Sequence, residues 1–419
     1  MLRTSFGFLR SSPTNAIYVE VGLLPPNLRA AFITDKFVLK FSNFNERTKA
    51  ISFQNLFELK EEYQYWITKS PPLIVNRLAE LSETREQIFC SESDFSTLEN
   101  TNKCLAINTQ FPIKKKGHPE NLPIFDTFRD LHRDKIFLYT DGSKTSDITT
   151  AAVVSKELQI KRTYILNQNR VIMSAELKAI RECLRMICLY NVRKAVVCSD
   201  SLSAITKISN FSKSDDPELL EIRKIFSSNN DLILTWTPGH EGIEGNVLAD
   251  QQTKVLTDAT DLSLEKIHYS NFLKSNSKKI LHSWQESWTD SIIVKGARLG
   301  AIQPTVALTS WFEEIILLKK YTNIISRMRI GHGTFPQHLH RINIVDSNLC
   351  SSPNCNEVGS LNHILLHCSH LQPPSTILAI LETNGVHPDT IDSILILKHC
   401  TQVMYEALKA HLITNNITC

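Results

Sequence analysis

Residues 135–143 read KIFLYTDGS, an apolar run that ends in a carboxylate and a turn signal at Asp141-Gly142. Branched and aromatic residues favour strands and Asp-Gly favours a turn, so the run predicts a strand over 135–140 that Asp141 follows. Two more strand patterns, 149–155 and 158–167, come directly after it, joined by a tight turn. The stretch therefore predicts the start of a sheet built from consecutive strands.

The segments after this opening alternate between helix and strand patterns. Apolar residues recur at helical spacing in four of them and form short buried runs in two others. The helix patterns are 174–189, 201–208, 217–227 and 246–256, and the strand patterns are 195–198 and 232–237. The order predicts an α/β fold with a mixed five-stranded sheet flanked by helices, between mostly helical N- and C-terminal regions.

The composition is that of a globular protein, with 42% hydrophobic and 21% charged residues and a net charge of +3 over 419 residues. It excludes wholesale disorder. Residues 261–345 hold eleven Lys/Arg against six Asp/Glu, whereas 346–419 hold two against six. Such a basic segment fits a local phosphate-contacting surface, although a solvated helix face is the commoner interpretation.

Cysteine usage and apolar runs bear on the compartment. Ten cysteines in a chain of this length do not resemble a secreted disulfide framework. No apolar run reaches the roughly 18 residues that a membrane span needs. We therefore expect an intracellular protein, in the nucleus or cytoplasm, without a membrane partner.

Four carboxylates stand near the predicted strand ends and on the helices that face them. Asp141 follows the first strand, Glu176 lies in the first turn of a long helix, Asp200 ends a strand, and Asp250 lies on the last helix. Each one alone is better explained as a turn, dipole or capping residue. All four in one sheet predict a ligand site, because ligands gather at strand ends in open sheets.

Clustered carboxylates repel one another unless cations compensate their charge. Oxygen ligands without Cys or His suit Mg²⁺, or Mn²⁺, better than zinc. Two such ions about 3.5–4 Å apart can hold a scissile phosphate, activate a water and stabilise the leaving oxygen. The set of acids therefore predicts a two-metal phosphoryl-transfer site.

The segment from 135 to 260 resembles a type I ribonuclease H of the kind carried by non-long-terminal-repeat retrotransposons. Four sequence blocks in the expected order carry the resemblance, and the last is the most specific. They are TDGS at 140–143, SAE at 174–176, SDS at 199–201, and WTPGHEGIEGN at 236–246 followed by AD at 249–250. The resemblance implies an endonuclease that hydrolyses the RNA strand of RNA–DNA hybrids.

The resemblance also implies residue roles. Asp141 would bridge two Mg²⁺ ions, Glu176 and Asp200 would hold the second ion, and Asp250 would hold the first. His240, on the loop before the last helix, would assist proton transfer or product release. The product would carry a 3′-hydroxyl and a 5′-phosphate.

The chain departs from the family pattern at two places. Val247 stands where the family usually has Glu, which we expect to modulate activity without abolishing it. The stretch 208–217 is too short for the basic helix with which cellular relatives grip the hybrid. We therefore expect the grip to come from elsewhere, with the basic segment after 261 as one candidate.

A second set of ligands lies downstream. Cys350, Cys355, His363 and Cys368 form a C-x4-C-x7-H-x4-C pattern, which matches a structural Zn²⁺ site of three thiolates and one imidazole. Retrotransposon relatives often carry a similar cluster. The first gap is wider than the common two-residue spacing. Two other histidines are alternatives for the imidazole ligand, namely His367 and His370.

The resemblance extends over nearly the whole chain. For residues 1–90 it implies a region like the one that follows the palm of the reverse transcriptase in these elements. The sequence holds no Asp-Asp polymerase motif. The resemblance therefore implies a C-terminal fragment of the polyprotein that lacks the palm. The predicted segments are helical 1–90, a linker 91–133, ribonuclease H 134–260, basic helical 261–345, a zinc segment 346–370 and a helical tail 371–419.

Two other functions compete with the nuclease. The first is a catalytically idle nucleic-acid-binding protein that uses the zinc segment to hold single-stranded RNA or DNA. The second is an integrase-like enzyme of the same fold, against which the 238–240 loop and Asp250 on the last helix count. The intact carboxylates favour the nuclease.

Overall fold

The computed structural model describes residues 2–44, 70–90, 107–113, 115–210, 216–316 and 318–417. A helix that the sequence predicts over 52–68 lies outside the described residues. The contacts divide the chain into two compact units. We call residues 33–276 the sheet unit, and residues 1–32 with 277–419 the helical unit.

The strands and helices are numbered in chain order. The strands are β1 Thr109–Gln110, β2 Ile136–Lys144, β3 Thr149–Ser155, β4 Ile160–Leu166, β5 Ala195–Ser199, β6 Leu232–Trp236 and β7 Thr260–Leu262. The α-helices are α1 Leu2–Ser5, α2 Thr14–Glu20, α3 Pro26–Phe41, α4 Leu73–Glu80, α5 Ser82–Glu86, α6 Asn121–Leu131, α7 Ile172–Leu189, α8 Leu202–Ser209, α9 Pro217–Ser228, α10 Glu244–Gln252, α11 Ser270–Ser291, α12 Ala297–Ile302, α13 Lys319–Ile330, α14 Pro336–Arg341, α15 Ser375–Thr383, α16 Ser393–Lys398 and α17 Gln402–Thr414. Short π-helices cover Ile292–Gly296 and His363–His367, and a 3₁₀ turn covers Pro388–Thr390.

The sheet is mixed, with seven strands in the order β1-β6-β5-β2-β3-β4-β7. Strands β2, β3 and β4 are antiparallel neighbours, whereas β5 and β6 run parallel to β2. The predicted mixed α/β fold is confirmed, but the five predicted strands are seven. The two extra strands are edge strands of two and three residues, too short to show an alternating pattern.

Strand β2 is longer than predicted. Asp141 pairs with Ala152 and Lys144 pairs with Thr149, so the antiparallel ladder continues through the Asp-Gly pair. Asp141 therefore lies inside the strand and not after it, which corrects the prediction. The reason is tertiary, because pairing with β3 outweighs the local turn preference of Asp-Gly.

Helix α7 covers the sheet next to the acidic residues. Its apolar face buries Leu177, Ile180, Leu184 and Ile187 in the core of the sheet unit. The helix begins at Ile172, two residues before the predicted start, so Glu176 lies in its second turn and not in its first. The apolar spacing of the helix was sufficient to predict the buried face.

The predicted linker 91–133 is corrected where the structure describes it. Helix α6 buries Phe125 and Phe128 against β2, and both rings lie about 6 Å from that of Phe137. Strand β1 pairs with β6 in the same part of the chain. The prolines and the lysine run of this segment favoured a linker over the short amphipathic helix that the structure shows. Residues 91–106 lie outside the described residues.

The helical unit has its own core. Trp284 and Trp288 of α11 are buried among the helices of this unit. A buried ion pair joins Arg329 Nε of α13 to Glu20 Oε2 of α2 at 3.0 Å. Among the described helices, none has both the length and the apolar composition needed to cross a membrane.

Candidate functional site

Three elements of the sheet unit bring carboxylates to one place. Asp141 lies in β2, and Asp200 directly follows β5, which pairs with β2 through Thr140 and Ser199. Glu176 lies on α7, which packs on the same part of β2. Adjacent strands thus set two of the acids side by side, and the covering helix adds the third.

The three acids form a close cluster. Asp141, Glu176 and Asp200 each offer one carboxylate oxygen, and these oxygens lie within 4.8 Å of one another. Asp141 and Glu176 are buried, with only 7% and 6% of their surface exposed, and Asp200 is half-buried. Three of the four acids predicted from the sequence therefore meet.

Asp250 is not part of this close group. It lies on α10, half-buried, and its Oδ2 accepts a hydrogen bond from Lys254 Nζ at 2.9 Å. Its charge still acts on the cluster, because it raises the pKa of both Asp141 and Asp200. Asp250 is thus an electrostatic neighbour of the three acids, held by a lysine one helical turn away. Val247, the departure from the family pattern, is half-buried on the same helix.

The environment disfavours negative charge in the cluster. Burial, followed by the charges of Asp200 and Asp250, raises the pKa of Asp141 to about 7. Burial and the charges of Asp141 and Asp200 raise the pKa of Glu176 well above its ordinary value. Burial also raises the pKa of Asp200. A bound cation would offset the repulsion that these shifts express.

The donor set fits a hard divalent cation. Oxygen Oε2 of Glu176 is buried and has no hydrogen-bond partner among the described residues. An unpartnered buried carboxylate oxygen is costly, and a metal ion would satisfy it. Three carboxylates without a thiolate or imidazole suit Mg²⁺ or Mn²⁺.

Two glycines allow this close approach, and neither was singled out in the sequence. A Cβ on Gly142 would lie 2.7 Å from the backbone nitrogen of Glu176, and a Cβ on Gly239 would lie 2.7 Å from Asp200 Oδ2. Contacts this short do not occur for real Cβ atoms, so any other residue would displace an acid. Both glycines lie in the quoted motifs, whose Asp-Gly and Pro-Gly pairs were available as signals.

His240 follows β6 on the loop before α10. Its side chain is exposed, its backbone is left-handed with a φ of 63°, and its charge opposes the rise in the pKa of Asp200. Lys116, in the segment predicted to be a linker, acts on Asp200 in the same direction. The indole of Trp236 donates to the carbonyl oxygen of Asp200 at 2.9 Å. The structure thus adds a lysine and a tryptophan to the predicted surroundings of Asp200.

The predicted thiolate and imidazole ligands also converge, in the helical unit. Cys350, Cys355, His363 and Cys368 offer ligand atoms that all lie within 4.8 Å of one another. Cys350 Sγ lies 3.8 Å from Cys368 Sγ, and Cys355 Sγ lies 3.3 Å from His363 Nε2. A closed set of three sulfurs and one nitrogen fits tetrahedral Zn²⁺.

The two alternative histidines do not join that group. The ring of His367 contacts the side-chain amide of Asn362 at 3.4 Å, and His370 is exposed. A bridge between Leu349 and Val358 closes the loop that carries the first two cysteines, which accommodates the wide gap between them. His363 is therefore the imidazole that the structure brings to the cysteines.

Comparison with known proteins agrees with the geometry of the sheet unit. No curated protein matches the chain. Residues 133–257 match the model of the family described as RNase H, which covers β2 to α10 and all four predicted acids. This part of the chain is therefore similar to RNase H domains.

Proposed function

We propose that the RNase H domain hydrolyses the RNA strand of RNA–DNA hybrids with two divalent cations held by Asp141, Glu176, Asp200 and Asp250. The observation that carries the proposal is the convergence of three carboxylates within 4.8 Å, two of them buried and one half-buried. Such a cluster is poorly suited to bind anything but cations. The order of the sequence blocks supports a relationship to the ribonucleases H of non-long-terminal-repeat retrotransposons.

Each side chain has a role that fits its position. Asp141 would contribute a ligand to both ion sites, Glu176 and Asp200 to one of them, and Asp250, once released from Lys254, to the other. Bound Mg²⁺, or Mn²⁺, supplies Lewis acidity at the scissile phosphate. His240, exposed on its loop, would protonate the leaving oxygen or assist product release.

The test is cleavage of a labelled RNA–DNA hybrid by the full chain, with and without Mg²⁺. Asp200→Asn should lower the rate about a thousandfold or more, since several kcal/mol of transition-state stabilisation are lost. It should leave binding of the hybrid largely intact. Asp147→Asn is the matched control, because Asp147 is exposed in the turn after β2 and lies outside the cluster. Normal cleavage by Asp200→Asn would refute the proposal.

A second candidate is suggested by the cysteine cluster. We infer that Cys350, Cys355, His363 and Cys368 bind one structural Zn²⁺, and that this segment could act as a nucleic-acid-binding module beside an idle nuclease. Purified chain should then contain one zinc per molecule, and Cys355→Ser should lose it. Cys188→Ser is the control, because Cys188 is exposed and lies outside the cluster. Tight binding of single-stranded RNA without any Mg²⁺-dependent cleavage would favour this candidate.

A further inference from the structure

The helical unit contains a cavity of about 550 Å³ with a cationic and amide-rich lining. Of the described residues that line it, none is acidic. Its polar lining includes two arginines, two histidines and two asparagines, namely Arg298, Arg341, His338, His340, Asn348 and Asn362. A volume of this size is typical of small-molecule and cofactor sites.

Arg298 is held in position by its surroundings. Its Nε donates to the carbonyl oxygen of Met328 at 2.9 Å, and its Nη2 donates to Ser393 Oγ at 3.0 Å. Its stem lies on Gly331, whose backbone is left-handed with a φ of 78°. A Cβ added at this position would lie 2.6 Å from Arg298 Cδ. Glycine is thus required at 331 both by the backbone and by the arginine.

The positive charge of the cavity is not neutralised by the protein. Within the described part of the chain, neither Arg298 nor Arg341 forms an ion pair with a carboxylate. Asp392 acts on Arg298 through its field, but its Oδ1 accepts from the Leu395 backbone at 2.7 Å and caps α16. Burial lowers the pKa of Arg298 to about 10, so it stays charged at neutral pH. A half-buried guanidinium without an ion-pair partner among the described residues favours an anionic ligand.

Arg341 is oriented by a hydrogen-bonded chain. Its Nη2 donates to His338 Nδ1 at 2.8 Å, which leaves the proton of His338 on Nε2, 3.2 Å from Ser11 Oγ. Burial, followed by the charge of Arg341, lowers the pKa of His338 to about 4. His338 is therefore neutral at pH 7 and positions Arg341, which carries the charge.

We propose that this cavity binds single-stranded nucleic acid, with a backbone phosphate on Arg298 and Arg341 and one unstacked base inside. Guanidinium groups suit phosphate geometry, and the exposed His340 offers a ring surface for a base. The amide of Asn348 can pair with a base edge that a duplex would keep hidden. The choice of nucleic acid over an acidic peptide rests on the RNase H domain in the same chain, and does not require that domain to be active.

The test measures binding of a labelled 12-nucleotide single-stranded RNA to the full chain by fluorescence anisotropy. Arg341→Gln and Arg298→Gln should each weaken binding about tenfold. Each should also reduce the slope of log affinity against log salt by about 0.7, as expected for one lost phosphate contact. Lys295→Gln is the matched control, because it removes the same charge from an exposed residue that does not line the cavity. It should change the affinity less than twofold.

The other arms identify the ligand and separate this inference from the nuclease. Single-stranded DNA of equal length should compete, whereas a blunt duplex and poly-glutamate should compete at least tenfold less. If Arg298→Gln destabilises the fold, the result for Arg341→Gln decides, because the Arg341 side chain is exposed and its replacement should leave the fold intact. Wild-type affinity and salt slope in Arg341→Gln, or equal competition by poly-glutamate, would overturn the inference. If the chain cleaves no hybrid but Arg341→Gln still weakens binding of single-stranded RNA, the proposed function fails and this inference holds.

Discussion

Gly142 of β2 and Glu176 of α7 lie so close that a Cβ on the glycine would stand 2.7 Å from the backbone nitrogen of Glu176. The same atom would lie 2.9 Å from the carbonyl carbon of Ala175. The neighbours are backbone atoms of a packed helix, so no side-chain rotation can make room. Gly142 therefore sets the distance between the strand that carries Asp141 and the helix that carries Glu176.

Gly142→Ala should consequently displace α7 and separate two of the cluster's acids. We expect a destabilisation of about 1–3 kcal/mol, typical of overpacking, together with a loss of hybrid cleavage larger than the loss of stability explains. Equilibrium unfolding in urea and Mg²⁺-dependent cleavage measure the two effects. Ser143→Ala, the next residue of β2, is the control and should change both little. A fully active Gly142→Ala would contradict the proposed role of this contact.

Asp141→Asn should stabilise the chain when divalent ions are absent. The pKa of Asp141 is raised to about 7 in the folded state, above its unfolded value of about 4, so the folded state binds the extra proton between these limits. Stability from this group is fully present below pH 4 and is lost as the pH rises to 7. Above pH 7 the asparagine variant should be more stable by about 1–2 kcal/mol or more.

Hydrogen exchange of peptides from 136–199, at pH 5 and pH 8 without divalent ions, measures this effect locally. Adding Mg²⁺ should stabilise the wild type more than the variant, because only the wild type retains the full ligand set. If the wild type is more protected at pH 8 than at pH 5 without divalent ions, ionisation of Asp141 does not destabilise the folded state, and the prediction is wrong.

Asp250 and Lys254 should control metal affinity more than the maximal rate. Because Asp250 stands outside the close group and is paired with Lys254, Asp250→Asn should raise the Mg²⁺ concentration needed for half-maximal cleavage several-fold. Lys254→Gln should lower that concentration about two- to threefold, since it frees the carboxylate and removes a competing positive charge. Titration of the cleavage rate with Mg²⁺ measures both. A lower Mg²⁺ requirement in Asp250→Asn, or a higher one in Lys254→Gln, would contradict the assignment.

The buried cations on α7 give a stability prediction. Lys178 is fully buried, and its Nζ lies 2.6 Å from Glu265 Oε2 and 3.1 Å from Glu182 Oε1. Lys178→Ala should cost about 2–4 kcal/mol, because it removes one of the cations that compensate Glu182 and Glu265 and leaves a cavity where its stem was buried. Lys194→Ala, which removes an exposed pair with Asp134, should cost less than about 1 kcal/mol. Unfolding in urea compares the two, and equal effects would refute the argument.

The sequence predicted that the four acids would lie near one another, and three of them do, because each lies in a motif that is local in the chain. Asp200 follows its strand as expected, and Glu176 is on the expected helix. The extension of β2 through Asp141 was not predictable, since it depends on pairing with β3 across the sheet. Asp250 and Lys254 have the i,i+4 spacing of ion pairs on a helix surface, but this spacing alone does not tell whether the carboxylate joins the other acids.

Features assembled from distant segments were missed altogether. The cavity of the helical unit joins Arg298, Arg341 and Asn362, which share no motif and no common element. Helix α6 was hidden because its apolar residues, Phe125 and Phe128, stand among prolines and charges that are typical of a linker. Tertiary packing, and not local propensity, decides such cases.

The packing of α6 on β2 has a consequence for anyone who isolates the RNase H-like part of the chain. A protein cut at the limits of the family match, 133–257, would uncover Phe137, which Phe125 and Phe128 shield, and would lose Glu265, one of the carboxylate partners of Lys178. One end would expose apolar rings to water, and the other would leave the buried cations of α7 with one carboxylate fewer. A fragment covering 107–276 keeps both contacts, and the shorter one should precipitate when expressed.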